Sequence, residues 1–317
     1  MKSIHSSDEL IARAVDIAGQ GRKKRVAVAA AQDADVIQAV SQAEADGFIE
    51  GVLVGDSAKI AEIAQQHDIE ISRLEVIDQP DVIRAAHQAV ELASKGKADA
   101  IMKGFLPTSA LLKVVLDKQY GLRGKNTLSH CAVLDIPGYH KLLNLTDGGM
   151  VVKPDQDQKS QILENAVHVA HALGLSPVKI AVSGAQDAPS ESIPHTLSDI
   201  DYIIPHAMVK LKDIAIQGPL PFDLATSKAA ADYHQASGMV VGDADIYLMD
   251  SIEECNIVAK SLIQFARAVF AGVIVGARVP VSLVSRTDTV KNKKASLALA
   301  CVLADYYEQQ EIWTEEA

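Results

Sequence analysis

At 317 residues the chain is longer than one hydrophobic core usually organises, so two α/β domains are expected. Ala, Val, Ile and Leu supply most of the 48% hydrophobic residues and aromatics only 4%, which predicts a core of sheet and helix faces without aromatic platforms. A formal net charge of −11 argues against a nucleic-acid partner, because duplex binding needs a basic surface that neutralises phosphates.

In chain order, the first predicted element is a short N-terminal helix carrying Asp8, Glu9 and Arg13; it lacks the apolar core of a signal peptide. From Arg25 to Lys103, β-branched runs alternate with amphipathic segments: VAVAA at 26, GVLVGD at 51, LEVID at 74 and ADAIMKG at 98. Strands spaced by helices predict a mainly parallel sheet. Over 81–93, residues Val82, Ala85, Ala86, Ala89, Val90 and Ala93 share one helical face. CAVLDI and LLNLTDGG, split by Pro137, Gly138 and Tyr139, predict two strands joined by a turn, with a boundary near Gly148 and Gly149. The second half restarts the alternation: a helix over 158–173, strands at 178–182 and 213–217, a helix from Phe222, a strand at 244–249 and a long helix from Ile252. Strands at 272–275 and 281–284 follow, and a last helix runs over 290–308.

The longest apolar stretch, around 270–284, contains Arg278 and Pro280, so no membrane span of roughly 20 residues is expected. Cys131, Cys255 and Cys301 stand far apart without CxxC spacing, which predicts neither a disulfide framework nor a zinc site and fits a reducing, cytoplasmic setting. His168 and His171 lie three apart on a predicted helix without a carboxylate or Cys partner at a metal-binding spacing, and His130 and His140 are equally unspecific. No metal is expected. The absence of GxGxxG, GxxxxGK[ST] and GxSxG motifs lowers dehydrogenase, P-loop and α/β-hydrolase readings together.

In so acidic a chain, any anionic ligand must meet locally gathered cations and helix N-termini. Two strand ends offer them. After VSLV come Ser285, Arg286, Thr287 and Asp288, delivering a hydroxyl, a guanidinium and a carboxylate together where open α/β sheets bind ligands. Arg286 can hold phosphate bidentately, Ser285 can donate to an oxyanion and Asp288 can accept a thiol proton. The second is Lys103-Gly104-Phe105-Leu106-Pro107-Thr108, where Gly104 permits close backbone approach and Thr108 can cap the helix that follows. Each pattern also describes an ordinary capped strand-to-helix turn. Asn256 and Lys260 lie four apart on one face of the helix from Ile252, where both can line a cleft or simply face solvent.

As an ordered set, these segments resemble the phosphate acetyltransferase and phosphate butyryltransferase family, nearest its butyryltransferase branch. The resemblance rests on MKGFLPTSALLKVVLDKQYGLR from 102, LSHCAVLDIPGYHKLLNLTDGGM from 128, GPLPFDLATSKAA from 218 and VGDADIYLMDSIEECNIVAKSLIQFARAVFAGVIVGARVPVSLVSRTDT from 241. It implies an isocitrate/isopropylmalate dehydrogenase-like α/β fold with mainly parallel sheets, an interdomain cleft and a homodimer. The C-terminal helix would return to the first domain, giving 1–147 with 288–317 as one domain and 148–287 as the other. It implies reversible transfer of a short acyl group, butyryl favoured and acetyl or propionyl possible, between coenzyme A and inorganic phosphate. Acyl-CoA, phosphate and acyl phosphate would be the ligands, with CoA a substrate and no tightly bound cofactor.

Carried over by position, Arg286 would bind phosphate and Ser285 would stabilise the transition state. Asp288 matches the Ser-Arg-x-Asp pattern and would be the base, because Val290-Lys291-Asn292 stand where acetyltransferases place theirs. Lys103, Thr108, Arg123, Ser129, Asn256 and Lys260 fall in matching blocks as phosphate, acyl or CoA contacts. Asp243 and Ala259 depart from the family's usual Asn and Tyr, and Asp243 and Asp250 are expected to add negative charge where anions pass. That expectation keeps open a non-catalytic homologue that binds CoA or acyl phosphate.

Overall fold

The computed structural model describes residues 2–186 and 194–313. Its strands are β1 (Lys24–Ala29), β2 (Ile49–Gly55), β3 (Glu75–Asp78), β4 (Ala100–Lys103), β5 (Ser129–Asp135), β6 (Leu142–Thr146), β7 (Val178–Ser183), β8 (Ile214–Leu220), β9 (Ile246–Leu248), β10 (Val269–Val275) and β11 (Val281–Ser282). The helices are α1 (Ser7–Ile17), α2 (Ala34–Ala45), α3 (Ser57–Gln66), α4 (Val82–Ser94), α5 (Thr108–Val115), α6 (Gln156–Ala172), α7 (Pro194–Lys210), α8 (Phe222–Thr226), α9 (Lys228–Tyr233), α10 (Ile252–Phe265) and α11 (Val290–Gln309).

The chain forms two compact units. A flanking unit is built from Ser7–Lys125 and the stretch from Ala271 onward; a middle unit is built from Asn126–Phe270 and the N-terminal residues through Ser6. These divisions lie upstream of the expected 147/148 and 287/288. The reason is pairing: β5 and β6 belong with β9 in the middle unit, whereas β11 pairs with β4 and β10 with β11 in the flanking one.

In the flanking unit the strand order is β3-β2-β1-β4-β11-β10, parallel except for β10 against β11. Buried runs of Val, Ile and Ala fill β1 and β2, as expected of strands covered on both faces. The edge strand β3 is mostly exposed and carries Glu75 and Asp78 along its rim, charges of the kind that discourage edge pairing. Helix starts follow the sequence: Asp33, Asp56 and Asp81 each accept a backbone N–H three residues on, capping α2, α3 and α4. The last helix, α11, is buried on nearly every side from Ala295 to Ala304, so it runs through the core rather than over it.

The middle unit has the order β5-β6-β9-β7-β8, with the antiparallel β5–β6 pair closed by the Pro137-Gly138 turn. α6 begins with a capping box, Asp155 and Gln158 exchanging side-chain-to-backbone bonds. Two elements differ from the reading of the sequence. The helix from Phe222 breaks in two, because Ser227 is extended and its hydroxyl caps α9. Helix α7 is additional; it holds Pro205 in its interior, the residue that most discourages a helical reading.

Candidate active site

Register brings the two singled-out strand ends of the flanking unit together. β11 runs parallel to β4 with Val281 opposite Ile101 and Ser282 opposite Met102, so the loops leaving both strands emerge side by side. Lys103 closes β4, and Arg286 lies four residues beyond β11. Gly104 is required by close approach, since a Cβ there would lie 2.2 Å from the Ala30 carbonyl oxygen and 2.6 Å from that of Ala29. Its N–H donates to Ala29 O at 2.9 Å and that of Phe105 to Ala30 O at 2.6 Å, stitching the β4 loop to the end of β1.

Lys103 is 5% exposed, and its ammonium donates to the carbonyls of Gly104 (3.2 Å) and Leu106 (3.5 Å). Burial pushes it below the ordinary lysine range; the Arg286 guanidinium and Lys293 push the same way, while Asp33 and Asp288 oppose them. Arg286 is exposed, forms no ion pair among the described residues, and places its guanidinium carbon 4.8 Å from the Phe105 ring centroid. Two neighbouring cations, one of them desolvated, make a local positive field that an anion relieves.

Ser285 and Asp288 are locked to each other. The Ser285 N–H donates to Asp288 Oδ2 at 2.6 Å, the Asp288 N–H to Ser285 O at 3.2 Å, and the Asn292 amide reaches Asp288 Oδ1 at 3.3 Å. Ser285 Oγ lies 3.2 Å from Thr287 Oγ1. The cap of α11 is Thr289, whose hydroxyl accepts from Asn292 N–H, so Asp288 keeps its carboxylate on the loop. Lys293, which the sequence reading passed over, is 1% exposed; its ammonium donates to Arg286 O at 3.4 Å and, at shorter range, to Asp288 O, and lies 3.6 Å from Asp35. It is the buried tie that holds the Ser285–Asp288 loop onto α11. Burial of a lysine at a helix start is the signal for it, and burial is not visible in one sequence.

The other candidates divide by unit. Thr108 is the first residue of α5, not its cap: Pro107 occupies that position and offers no side-chain acceptor, and while the Ala110 N–H turns back to Pro107 O at 3.1 Å, those of Thr108 and Ser109 stay open to an anion. Arg123 is exposed and bridges by its backbone to Ala277. The middle unit holds the remaining three. Ser129 is 0% exposed and its hydroxyl accepts from Asn165 at 2.9 Å, an interior tie between β5 and α6. Asn256 donates to Gly148 O at 3.2 Å, while the exposed Lys260 makes no hydrogen bond or ion pair among the described residues.

Gly148 belongs to a loop pinned by Asp147. That carboxylate, 3% exposed, accepts from the backbone N–H groups of His130 (3.1 Å), Gly149 (2.9 Å), Met150 (3.1 Å) and Val151 (2.9 Å). Burial nevertheless raises the Asp147 carboxyl above the ordinary range, outweighing those four donors.

The acidic departures do not add open negative charge. Asp250 pairs with Lys159 at 2.8 Å. Asp243 meets Lys141 at 2.8 Å, His140 at 2.7 Å and, more closely still, Lys179. Partial burial works to raise Asp243, but hydrogen bonds from Lys141, Lys179 and His140 outweigh it and hold the carboxyl well below the usual range. A depressed folded value means these pairs contribute stability above the unfolded Asp value of about 3.9, and that stability is lost as pH falls through the lower folded value. Asp243→Asn is therefore expected to flatten the fall of urea-unfolding midpoints below about pH 4; an unchanged acid limb would contradict the pairing.

A family model described as phosphate acetyl/butaryl transferase matches residues 79–301. The chain belongs to this family. Among its transferase relatives, the phosphate butyryltransferase of Clostridium acetobutylicum is 38% identical over 281 residues, 89% of this chain and 93% of its own. The crystal structure of a branched-chain phosphotransacylase from Enterococcus faecalis V583 matches with TM-score 0.79 and 31% identity, over 89% of this chain and 99% of that one. A 4-hydroxythreonine-4-phosphate dehydrogenase from Klebsiella pneumoniae overlays with TM-score 0.56 at 16% identity, over 89% of this chain and 99% of its own, a likeness of fold alone.

Proposed function

We propose that this member of the phosphate acetyl/butyryl transferase family moves a short acyl group reversibly between coenzyme A and inorganic phosphate, with butyryl favoured and acetyl or propionyl accepted. The observation that carries the reading is Arg286 without an ion pair among the described residues, beside the desolvated Lys103 at adjacent strand ends. An unpaired planar guanidinium keeps all five donors for a tetrahedral dianion.

In this reading Arg286 binds the phosphoryl group, with Lys103 adding charge and the open turn of α5 at Thr108 adding backbone donors. Asp288 takes the CoA thiol proton, the sulfur attacks the acyl carbonyl carbon, and Ser285 donates to the oxyanion that forms. The C–O bond to phosphate then breaks, and phosphate leaves with the electron pair. Ser285 and Asp288 support these roles by fixing each other within one loop. Arg123, Asn256 and Lys260 are proposed as further contacts to CoA or acyl group, and Ser129 as one that acts through its strand rather than by touching ligand. A dehydrogenase-like two-domain plan, a homodimer and a cytoplasmic setting belong to the same proposal; light scattering tests the dimer.

The test is phosphate-dependent release of CoA thiol from butyryl-, propionyl- and acetyl-CoA, read with a thiol-reactive dye. Absence of release with all three overturns the reading. The protein's own thiols should stay silent in this assay. Cys131, Cys255 and Cys301 are all buried, and burial pushes Cys131 up to about 12 and raises the other two as well. The folded protein is expected to give no dye signal until denaturant is added; a rapidly titrating native thiol would contradict the buried placement.

A further inference from the structure

We propose that Phe105 is a positioning residue that holds the Arg286 guanidinium by its flat face, so that the edge carrying the N–H donors stays available to the phosphoryl group. Three observations converge on it. Phe105 is 45% exposed although Leu106, beside it in the loop after β4, is 1% exposed, so the ring is presented outward while its backbone is anchored just past the end of β1 through Ala30 O. The guanidinium carbon of Arg286 lies 4.8 Å from that ring's centroid. No carboxylate pairs with Arg286 among the described residues, and Lys103, at the end of β4, repels it.

An anion-binding arginine faces a conflict. A carboxylate would fix its long side chain but would also occupy two donors and cancel its charge. An aromatic face fixes the same side chain through the ring quadrupole and leaves every N–H in the plane unspent. Phe105 and Arg286 are 181 positions apart, and only the parallel pairing of β4 with β11 brings ring and guanidinium together.

The inference rests on Arg286 binding phosphate, and the experiment separates the two. Phe105→Leu and Phe105→Tyr are compared with the wild type for KM of phosphate, KM of butyryl-CoA, kcat and thermal midpoint, with phosphate binding measured separately by calorimetry. Loss of an exposed cation–π contact predicts that Phe105→Leu raises the phosphate KM and Kd about two- to five-fold, leaves the butyryl-CoA KM unchanged, and is rescued by Phe105→Tyr. A wild-type phosphate KM and Kd in Phe105→Leu, or a Tyr variant as impaired as the Leu one, overturns it. So does a change confined to the butyryl-CoA KM, which would make the ring a wall for the acyl group. If the leucine variant is unstable, Phe105→Met, which keeps bulk without a π face, replaces it and must weaken phosphate to the same extent. Should the wild type release no thiol, acyl transfer fails, while calorimetry of phosphate still decides whether Phe105 supports Arg286.

Discussion

Arg286→Ala is expected to lower phosphate-dependent thiol release by about 10²–10³-fold, the scale seen when one charge-stabilising donor is removed from a preorganised site. The effect should appear in kcat/KM and not in stability, because the side chain is exposed and its one ring contact is with Phe105. Surface substitutions of this kind stay within about 0.5 kcal/mol. Arg286→Lys should recover little, since an ammonium keeps the charge but loses the bidentate fork and the flat face that the ring holds. Removing Arg286 should also let the Lys103 ammonium rise toward its ordinary range, because one of the charges depressing it is gone. An alanine variant with wild-type turnover would overturn the mechanism even if the enzyme proved active.

Asp147→Ala carries the largest expected effect on stability, and it falls in the middle unit. One buried carboxylate gathers four backbone N–H groups, and deleting it strands those donors where water reaches only the outer part of the loop. Hydrogen bonds to a charged acceptor are worth about 1.5–3 kcal/mol each, and partial rehydration reduces the total to about 2–4 kcal/mol. Amide hydrogen exchange reads this locally: Gly149, Met150 and Val151 should exchange about 30- to 1,000-fold faster in the variant. Asp147→Asn should fall between, since an amide oxygen can replace Oδ1 for three of the donors while its NH₂ opposes the Val151 N–H that Oδ2 accepted. Exchange unchanged from wild type in the alanine variant would refute the pinning. Acid acts here in the opposite direction to Asp243. A raised folded value means that the proton-linked part of Asp147's contribution is fully present below about pH 3.9 and is lost as pH rises through the folded value, while the four backbone hydrogen bonds to the carboxylate remain, so acidification does not loosen this loop through Asp147.

Local chemistry made most of the elements legible. The β-branched runs at 26, 51 and 98 became strands because they are buried on both faces, and the apolar face read over 81–93 is that of α4, whose start Asp81 caps. Helix α7 was hidden by Pro205, and the apparent single helix from Phe222 gave no warning that Ser227 would restart it. For the site, sequence could name Lys103 and Arg286 but not put them side by side, since that depends on which strand lies next to β4. Thr108 looked like a cap because threonine usually is one, yet Pro107 already occupies that position. Ser129 is named by the family resemblance alone, and β5 turns its hydroxyl inward onto Asn165. Lys293 lay beyond reach for the reverse reason: a lysine reads as solvated unless its burial is known.

The order in which the chain leaves the ribosome makes the two units unequal. Apart from its first few residues, the middle unit is one uninterrupted stretch, whereas the flanking unit needs β11 and α11, which follow the middle unit in the chain. From Phe270 to the end of α11 at Gln309 lie 39 residues, or roughly 2–8 s of synthesis at about 5–20 residues per second. During that interval β4 has no partner on the side that β11 will take, and the apolar faces α11 will fill stand empty. The loop that carries Arg286 therefore takes its place only after the middle unit has been made, and a nascent protein truncated before β11 holds Lys103 and Phe105 with no guanidinium to meet them.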